Sequence, residues 1–284
     1  MTSYRRHLIT GDPIVFAPER AARPGAFTGS AAEARCPFCP GHEADTPPQI
    51  AQLGDPWRVR VVPNKYPPTG GAEVIVESNE HDAAFEHLPH AEELVRLYAD
   101  RSRAHAEAAH VALFKNEGTR AGSSIAHVHS QLIPTPFVPL RIEREAAAFA
   151  RAAHCPLCEA IETHRREELV IAETPAFVWL APSASWMAYQ QWLVPKRHVA
   201  SLTELDDTEL AELGALLRSA ASAMRTTSDS FNWSFTSFSR APAAHFYVDL
   251  FPRVTTIAGF ELGTGTFVEI IDPAAAARRL RLRQ

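Results

Sequence analysis

The cysteines of this chain are spaced in a way that suits metal binding. All four lie in two Cys-Pro-x-Cys pairs, Cys36/Cys39 and Cys155/Cys158. In a chain without signs of export, such pairs more often bind a metal or carry out redox chemistry than form structural disulfides. A redox pair is expected beside a βαβ pattern, whereas both pairs here are followed by spaced histidines. The pattern therefore favours metal over redox chemistry.

Zinc prefers four tetrahedral ligands drawn from cysteine thiolates and histidine nitrogens. Two such sets with similar spacing are Cys36, Cys39, His81 and His127, and Cys155, Cys158, His198 and His245. We expect two zinc ions per chain, although these ligand types do not distinguish zinc from iron. His42 and His87 lie close enough along the chain to be rival ligands of the first set.

A candidate nucleophile lies beside the last ligand of the first set. Residues 127–131 read His-Val-His-Ser-Gln, and a strand would place His127, His129 and Gln131 on one surface. A neutral imidazole attacks phosphorus well and leaves well afterwards, so His129 can carry a group between two displacements. The Gln131 amide can donate to phosphate oxygens as charge develops. The alternative is a metal site that uses both histidines, but the other three ligands leave room for only one.

Small and polar residues precede this histidine segment, and such residues let backbone N–H groups approach a phosphate closely. They are Asn116, Gly122, Ser123 and Ser124. Near the N-terminus, Arg20 and Arg23 stand three residues apart, and arginine suits bidentate contact with phosphate. Each pattern alone is also typical of a turn or a solvated loop.

The ligand sets are landmarks of an internal duplication. Each cysteine of the first pair lies 119 residues before its counterpart, and the paired histidines are 117 and 118 residues apart. We therefore expect two tandem domains, residues 1–143 and 144–284, each of ordinary domain size. The repeat weakens the alternative in which the cysteines are buried hydrophobes and the histidines are surface residues.

Each repeat shows the same order of predicted elements, which begins with the Cys pair in a loop. Strand-like runs follow each Cys pair, WRVRVVPN and AEVIVES in the first repeat and AFVWLA and QWLVP in the second. An amphipathic helix follows, over 91–109 or 207–225. Two further strand-like runs complete each repeat, HVALFKNEG and AHVHSQLIP, then FNWSFTSFS and HFYVDLFPR. The order predicts an α+β fold with a helix packed across an antiparallel sheet.

The second repeat keeps the metal ligand but not the nucleophile. His245 corresponds to His127, whereas Tyr247 takes the position of His129. A phenol with an ordinary pKa of about 10 is a poor replacement for imidazole at neutral pH. We expect the second repeat to be stabilised by its metal and catalytically silent.

Composition excludes several other classes of protein. The 284 residues are 46% hydrophobic and 21% charged, which argues against global disorder. The formal net charge of −5 argues against a nucleic-acid-coating protein. No signal peptide or membrane-spanning run is visible. We expect a soluble, cytoplasmic protein with no membrane or nucleic-acid partner.

These motifs together resemble the galactose-1-phosphate uridylyltransferase family of the histidine-triad superfamily, from about Ile14 to Ala277. FKNEGTRAGSSIAHVHSQ is similar to that family's catalytic motif, CPFCPGHE with TPPQI to its zinc loop, and APERAARP to its arginine motif. GFELGTG most resembles the ADP-glucose phosphorylase branch. The resemblance implies two histidine-triad-like halves around a half-barrel sheet, with packed helices.

The resemblance also implies roles for individual residues. His129 would carry the nucleotidyl group and Gln131 would hold its phosphate oxygens. Asn64 would lie near the ribose or base, and members are commonly homodimers in which Glu261 would approach the partner's site. The remaining phosphate contacts would be Arg20, Arg23, Asn116 and Ser124.

The implied reaction moves a nucleoside monophosphate from a nucleotide-sugar or related donor, through His129, to a sugar-1-phosphate or phosphate. The motif departs from the family's at Val128, where Pro is usual, and at Ser130, where Gly is common. Phe267 stands where uridylyltransferases use glutamine to read the hexose. The alternatives are a histidine-triad hydrolase and a zinc-stabilised nucleotide-binding protein without turnover.

Overall fold

The computed structural model describes residues 3–22 and 35–281. A small hairpin, β1 (Ser3–Arg6) and β2 (Pro13–Phe16), stands apart from one large antiparallel sheet. Among the residues described, the sheet has ten strands: β3 (Ala51–Leu53), β4 (Val59–Pro63), β5 (Glu73–Val76), β6 (His110–Glu117), β7 (His129–Thr135), β8 (Val170–Glu173), β9 (Phe177–Leu180), β10 (Gln191–Pro195), β11 (Phe231–Thr236) and β12 (Tyr247–Pro252). The predicted α+β class with a large antiparallel sheet is confirmed.

The order of strands in the sheet displays the duplication. It runs β3-β4-β5-β7-β6-β11-β12-β10-β9-β8, so the two sets of five strands have the same internal order and meet at β6 and β11. Both halves contribute to one core, in which the buried residues include Leu94, Tyr98, Leu217 and Trp233. The boundary between residues 143 and 144 stays a prediction.

The described part of the chain has six α-helices beside the sheet: α1 (Ala91–Arg103), α2 (Leu140–Arg151), α3 (Pro156–Arg166), α4 (Asp207–Arg225), α5 (Gly259–Thr264) and α6 (Pro273–Arg281). Helix α4 has the predicted bounds. Asp206 and Glu209 form a reciprocal capping box, which fixes its start. Within the described ranges, no helix combines the length and apolarity that crossing a bilayer would need.

Helices α1 and α4 pack closely because Gly214 has no side chain. A Cβ at this position would lie 2.8 Å from the Ala91 carbonyl oxygen, which is closer than atoms in a packed core tolerate. This contact joins the equivalent helices of the two repeats.

Three local expectations were wrong. Helix α1 ends at Arg103 rather than at residue 109, because a turn leads into β6 and Glu73 accepts a hydrogen bond from His105 just after the helix. Strand β7 begins at His129, so His127 lies just before the strand rather than in it. The second Cys pair is not in a loop: Cys155 is the N-cap of α3 and Pro156 its first residue, where a missing N–H costs nothing.

Candidate active site

The first predicted ligand set is assembled by distant parts of the chain. One ligand atom from each of Cys36, Cys39, His81 and His127 lies within 4.8 Å of all the others. Nδ1 of His127 is 3.6 Å from the Cys36 sulfur and 3.7 Å from that of Cys39, and Nδ1 of His81 is 3.3 Å from Cys39. The loop of the first Cys pair thus meets the segments before α1 and β7.

These distances fit one tetrahedral metal ion. Bonds of about 2.3 Å to sulfur and about 2.0 Å to nitrogen place the two ligand atoms roughly 3.5 Å apart. Nε2 of His127 donates to the Ser78 carbonyl at 2.8 Å, which leaves Nδ1 unprotonated and directed at the cysteines. Such a fixed tautomer is usual for a metal-binding histidine.

The second ligand set has the same geometry. One ligand atom from each of Cys155, Cys158, His198 and His245 also lies within 4.8 Å of the others. Nδ1 of His245 is 3.4 Å and 3.5 Å from the two sulfurs, and its Nε2 donates to the Pro195 carbonyl at 2.9 Å. Both repeats therefore present two thiolates and two Nδ1 atoms to a metal.

The two rival histidines do not join these groups. Nδ1 of His42 donates to the Cys36 carbonyl at 2.6 Å, so it supports the backbone of the cysteine loop. His87 lies in a short 3-10 helix, Phe85–His87, and is exposed.

His129 lies beside the first ligand set but does not belong to it. Its ring is only 5% exposed and its Nδ1 donates to the His127 carbonyl at 2.8 Å. The hydrogen bond leaves Nε2 as the nitrogen that is free to react. His129 and Gln131 both line a cavity of about 470 Å³, and the Phe38 ring stands 5.4 Å from the imidazole. The candidate nucleophile thus faces a space large enough for a small ligand.

Burial keeps this imidazole neutral. Loss of solvent, the largest cause, and the nearby Lys115 cation together lower the pKa of His129 to about 4, despite the opposing effect of the hydrogen bond to the His127 carbonyl. A neutral ring retains the lone pair that nucleophilic attack requires. The environment of His129 therefore suits a nucleophile near neutral pH.

A buried charged cluster supports the other face of β7. Lys115 is fully buried, donates to the Glu77 carboxylate at 2.5 Å and to the His129 carbonyl at 3.2 Å. Glu77 also accepts hydrogen bonds from Ser130 and Tyr98. Desolvation and the adjacent Glu77 charge raise the pKa of Tyr98 far above its ordinary value, so its hydroxyl stays a donor. The cluster fixes the strand at His129 and Ser130.

The residues predicted to contact nucleotide or phosphate fall into four groups. Asn64 and Ser124 line the cavity of His129. Arg20 does not line it but donates to the carbonyl of Tyr66, a wall residue, at 2.5 Å. Arg23 lies outside the described residues.

The other residues predicted to contact nucleotide or phosphate make hydrogen bonds or turns elsewhere in the chain. Asn116 accepts a hydrogen bond from Asn232 at 2.8 Å, and the Ser123 hydroxyl donates to the Ile125 carbonyl at 2.7 Å. Gly122 has a left-handed φ of 86° and ends a short 3-10 turn, a conformation that favours glycine. Glu261 caps α5 by accepting from the Ala258 N–H at 3.1 Å. Within one chain, these residues hold local structure in β6, in the turn that follows it and in α5.

Sequence reasoning missed two cations in the cavity wall. Arg35 and Lys65 both line it. The Arg35 guanidinium is 3.0 Å from the Asp45 carboxylate and remains exposed, and Lys65 lies 3.5 Å from the Asp45 carbonyl. The sequence pointed to them only through their positions: Arg35 directly precedes the first Cys pair, and Lys65 directly follows the Val-Pro-Asn segment at the end of β4.

The corresponding position of the second repeat holds a different network. The Tyr247 hydroxyl donates to Glu145 at 2.8 Å and accepts from Arg141 at 3.0 Å. Burial and the adjacent Asp249 carboxylate raise the pKa of Tyr247. Asp249, at the position of Gln131, accepts from Arg141 at 2.9 Å. A neutral phenol whose oxygen makes two hydrogen bonds is a poor nucleophile. That the second repeat is catalytically silent stays a prediction.

Two curated relatives are similar in sequence to this chain over most of its length. An ADP-glucose phosphorylase from Arabidopsis thaliana is 29% identical, with 98% of this chain and 92% of the relative covered. A galactose-1-phosphate uridylyltransferase from Thermotoga maritima is also 29% identical, with 85% and 81% covered. The resemblance expected from the motifs is thus confirmed.

Solved structures agree with this comparison. A crystal structure of an ADP-glucose phosphorylase from Arabidopsis thaliana with bound ADP-glucose superimposes with a TM-score of 0.77 at 26% identity, covering 99% of this chain and 98% of that chain. A uridylyltransferase structure gives a TM-score of 0.83 at 23% identity and full coverage of this chain, which shows the fold. A family model described as a domain of unknown function, DUF4921, matches residues 71–283, most of the chain, and the chain therefore belongs to that family.

Proposed function

We propose that this chain is a nucleotidyltransferase that moves a nucleoside monophosphate through a covalent bond to His129. The observation that carries the proposal is the placement of His129: its Nδ1 is held by the His127 carbonyl, and its ring lines the cavity beside Gln131. The names of the two curated relatives support the same class of reaction.

The chemistry follows a double displacement. Nε2 of His129 attacks the α-phosphorus of the donor, a P–N bond forms, and the P–O bond to the leaving phosphate or sugar phosphate breaks. In the second step an oxygen of the acceptor phosphate attacks the same phosphorus and the P–N bond breaks. The Gln131 amide stabilises the charge that develops on the phosphoryl oxygens, and Arg35 and Lys65 neutralise the polyphosphate.

The metal sites support this chemistry indirectly. We propose zinc at both ligand sets, because two thiolates and two imidazoles at these distances match its tetrahedral preference. His127 would be anchored as a ligand of such an ion, and its carbonyl accepts the hydrogen bond that orients His129. The four cysteines, all within the described residues, form no disulfide, which also suits a reducing compartment such as the cytoplasm.

We favour a nucleotide-sugar as donor and phosphate or a sugar-1-phosphate as acceptor. ADP-glucose with phosphate is the first pair to test, because GFELGTG resembles the phosphorylase branch and Phe267 replaces the expected glutamine. We also propose a homodimer. Large apolar side chains around α5 are exposed, and burying them would need a partner surface; they include Phe260, Leu262, Val268 and Ile270.

The test is formation of the covalent adduct. Purified, metal-loaded protein is incubated with ADP-glucose, UDP-glucose or ATP carrying a label in the α-phosphate, and the label on the protein is measured after denaturation. We expect one label per chain, lost in His129→Ala and retained in His87→Ala, a matched change at an exposed histidine. Absence of an adduct with every donor, in protein that binds nucleotide, would instead identify a binding protein.

Acceptor dependence separates a transferase from a hydrolase. Phosphate or a sugar-1-phosphate should release the label as a new nucleotide product and should accelerate turnover. Release at the same rate with neither acceptor present would show that water is the acceptor and would overturn the transferase assignment.

A further inference from the structure

A second cavity, larger than that of His129, lies in the second repeat. It encloses about 640 Å³ between α2, α3 and the strand ends, within the range of small-molecule sites. Its floor includes Tyr247, the residue at the position of the nucleophile. The catalytic role proposed for His129 makes no use of this space.

The two cavities occupy equivalent places in the duplicated fold. Across β5 and β7, Val74 pairs with Gln131, and across β10 and β12, Trp192 pairs with Asp249. Val74 and Gln131 line the first cavity, while Trp192 lines the second.

The cysteine loops and strand ends correspond as well. Pro37 and Pro63 line the first cavity, and their counterparts 119 residues later, Pro156 and Pro182, line the second. The second cavity is therefore the duplicate of the proposed nucleotide site, with different side chains on the same backbone frame.

Its walls are more aromatic than those of the first cavity. Trp186, Trp192, Tyr247, Phe149 and Phe267 all line it. The Trp186 and Phe267 rings are 5.4 Å apart, and those of Trp192 and Tyr247 are 5.0 Å apart. Aromatic faces of this kind stack against planar heterocycles such as nucleobases.

The place that corresponds to the phosphate end is acidic. Asp249 and Glu145 both contact Arg141, at 2.9 Å and 2.7 Å. One cation thus stands against two carboxylates, so the group carries a net negative charge. A phosphate there would meet repulsion, whereas carboxylate oxygens accept hydrogen bonds from ribose hydroxyls.

We propose that the second cavity binds an uncharged nucleoside, with its base between the aromatic walls and its ribose toward Glu145. The inference rests on the proposed function, since it takes the first cavity as the nucleotide site. The second repeat would then sense a nucleoside without performing chemistry on it.

The experiment compares two cavity-filling variants of the full, metal-loaded chain. Ala44→Trp fills the first cavity from an exposed residue, and Ala160→Trp fills the second from α3. Isothermal titration with adenosine should give two molecules per wild-type chain and one in each variant. AMP should give one per wild-type chain and none in Ala44→Trp. Ala148→Trp, from an exposed position on α2, repeats the test should Ala160→Trp fail to fold.

The possible results are unambiguous. One adenosine per wild-type chain, a second adenosine that survives filling of the second cavity, or AMP binding that persists in Ala44→Trp would each overturn the proposal. The label on His129 is measured in the same wild-type preparation. An adduct together with a single adenosine rejects only the second site, whereas a missing adduct rejects the transferase.

Discussion

Replacing Lys115 by Met should destabilise the protein far more than a similar change at its surface. Lys115 and Glu77 are both fully buried, with 2.5 Å between Nζ and the carboxylate. Removing one partner of a buried pair typically costs about 3–5 kcal/mol, because the other charge remains without compensation. At about 2 °C per kcal/mol for a chain of this size, the melting temperature should fall by roughly 6–10 °C.

The matched control is Lys196→Met. Lys196 also pairs with a glutamate, Glu173, at 3.0 Å, but both side chains are about one-third exposed. An exposed pair contributes about 0–1 kcal/mol. Calorimetric unfolding of metal-loaded protein, with metal content checked for each variant, measures both effects.

The double variant Lys115→Met/Glu77→Gln tests the reason for the loss. Glutamine keeps the oxygen that accepts from Tyr98 and Ser130 but carries no charge. The double variant should be more stable than Lys115→Met alone, because the uncompensated charge is gone. Equal melting temperatures for Lys115→Met and the surface control, or a double variant less stable than Lys115→Met, would refute the reasoning.

Three further predictions concern the metal ligands, the contact between α1 and α4, and Ser130 on β7. His127→Ala and His198→Ala should each lower the metal content, measured by elemental analysis, from two ions per chain to one. Only His127→Ala should also abolish the covalent adduct. Loss of the adduct in both variants would contradict a silent second repeat. Gly214→Ala should lower the free energy of unfolding, measured by chemical denaturation, by about 1–3 kcal/mol, because its Cβ meets the Ala91 backbone. Gly263→Ala, with open space around it, should lower it far less. Equal losses in the two variants would refute the close packing. Ser130→Ala should cost about 1–3 kcal/mol in the same assay, because it removes a donor to the buried Glu77; an unchanged stability would show that Ser130 does not support the cluster.

Local chemistry made part of this molecule predictable from sequence. The ligand sets followed from zinc's preference for sulfur and nitrogen and from their repetition, which no single pair would have supported. Helix α4 was predictable at both ends because its capping box and apolar periodicity agree. That Tyr247 stands at the position of His129 followed from aligning the two repeats.

Features that depend on distant contacts were not predictable in this way. Helix α1 has apolar and helix-favouring residues beyond Arg103, but the start of β6 and the hydrogen bond from His105 to Glu73 end it there. Arg35 and Lys65 become cavity residues only when the cysteine loop meets the end of β4. No local pattern reports which segments the fold will bring together.

The most direct test of the central claim is the stereochemical course at phosphorus. A donor with a chiral α-thiophosphate is turned over by metal-loaded protein, and the configuration of the nucleotidyl product is determined. Each in-line displacement inverts phosphorus, so a route through His129 with two displacements predicts overall retention. Inversion would show that the acceptor attacks the donor directly, and the covalent histidine would be contradicted.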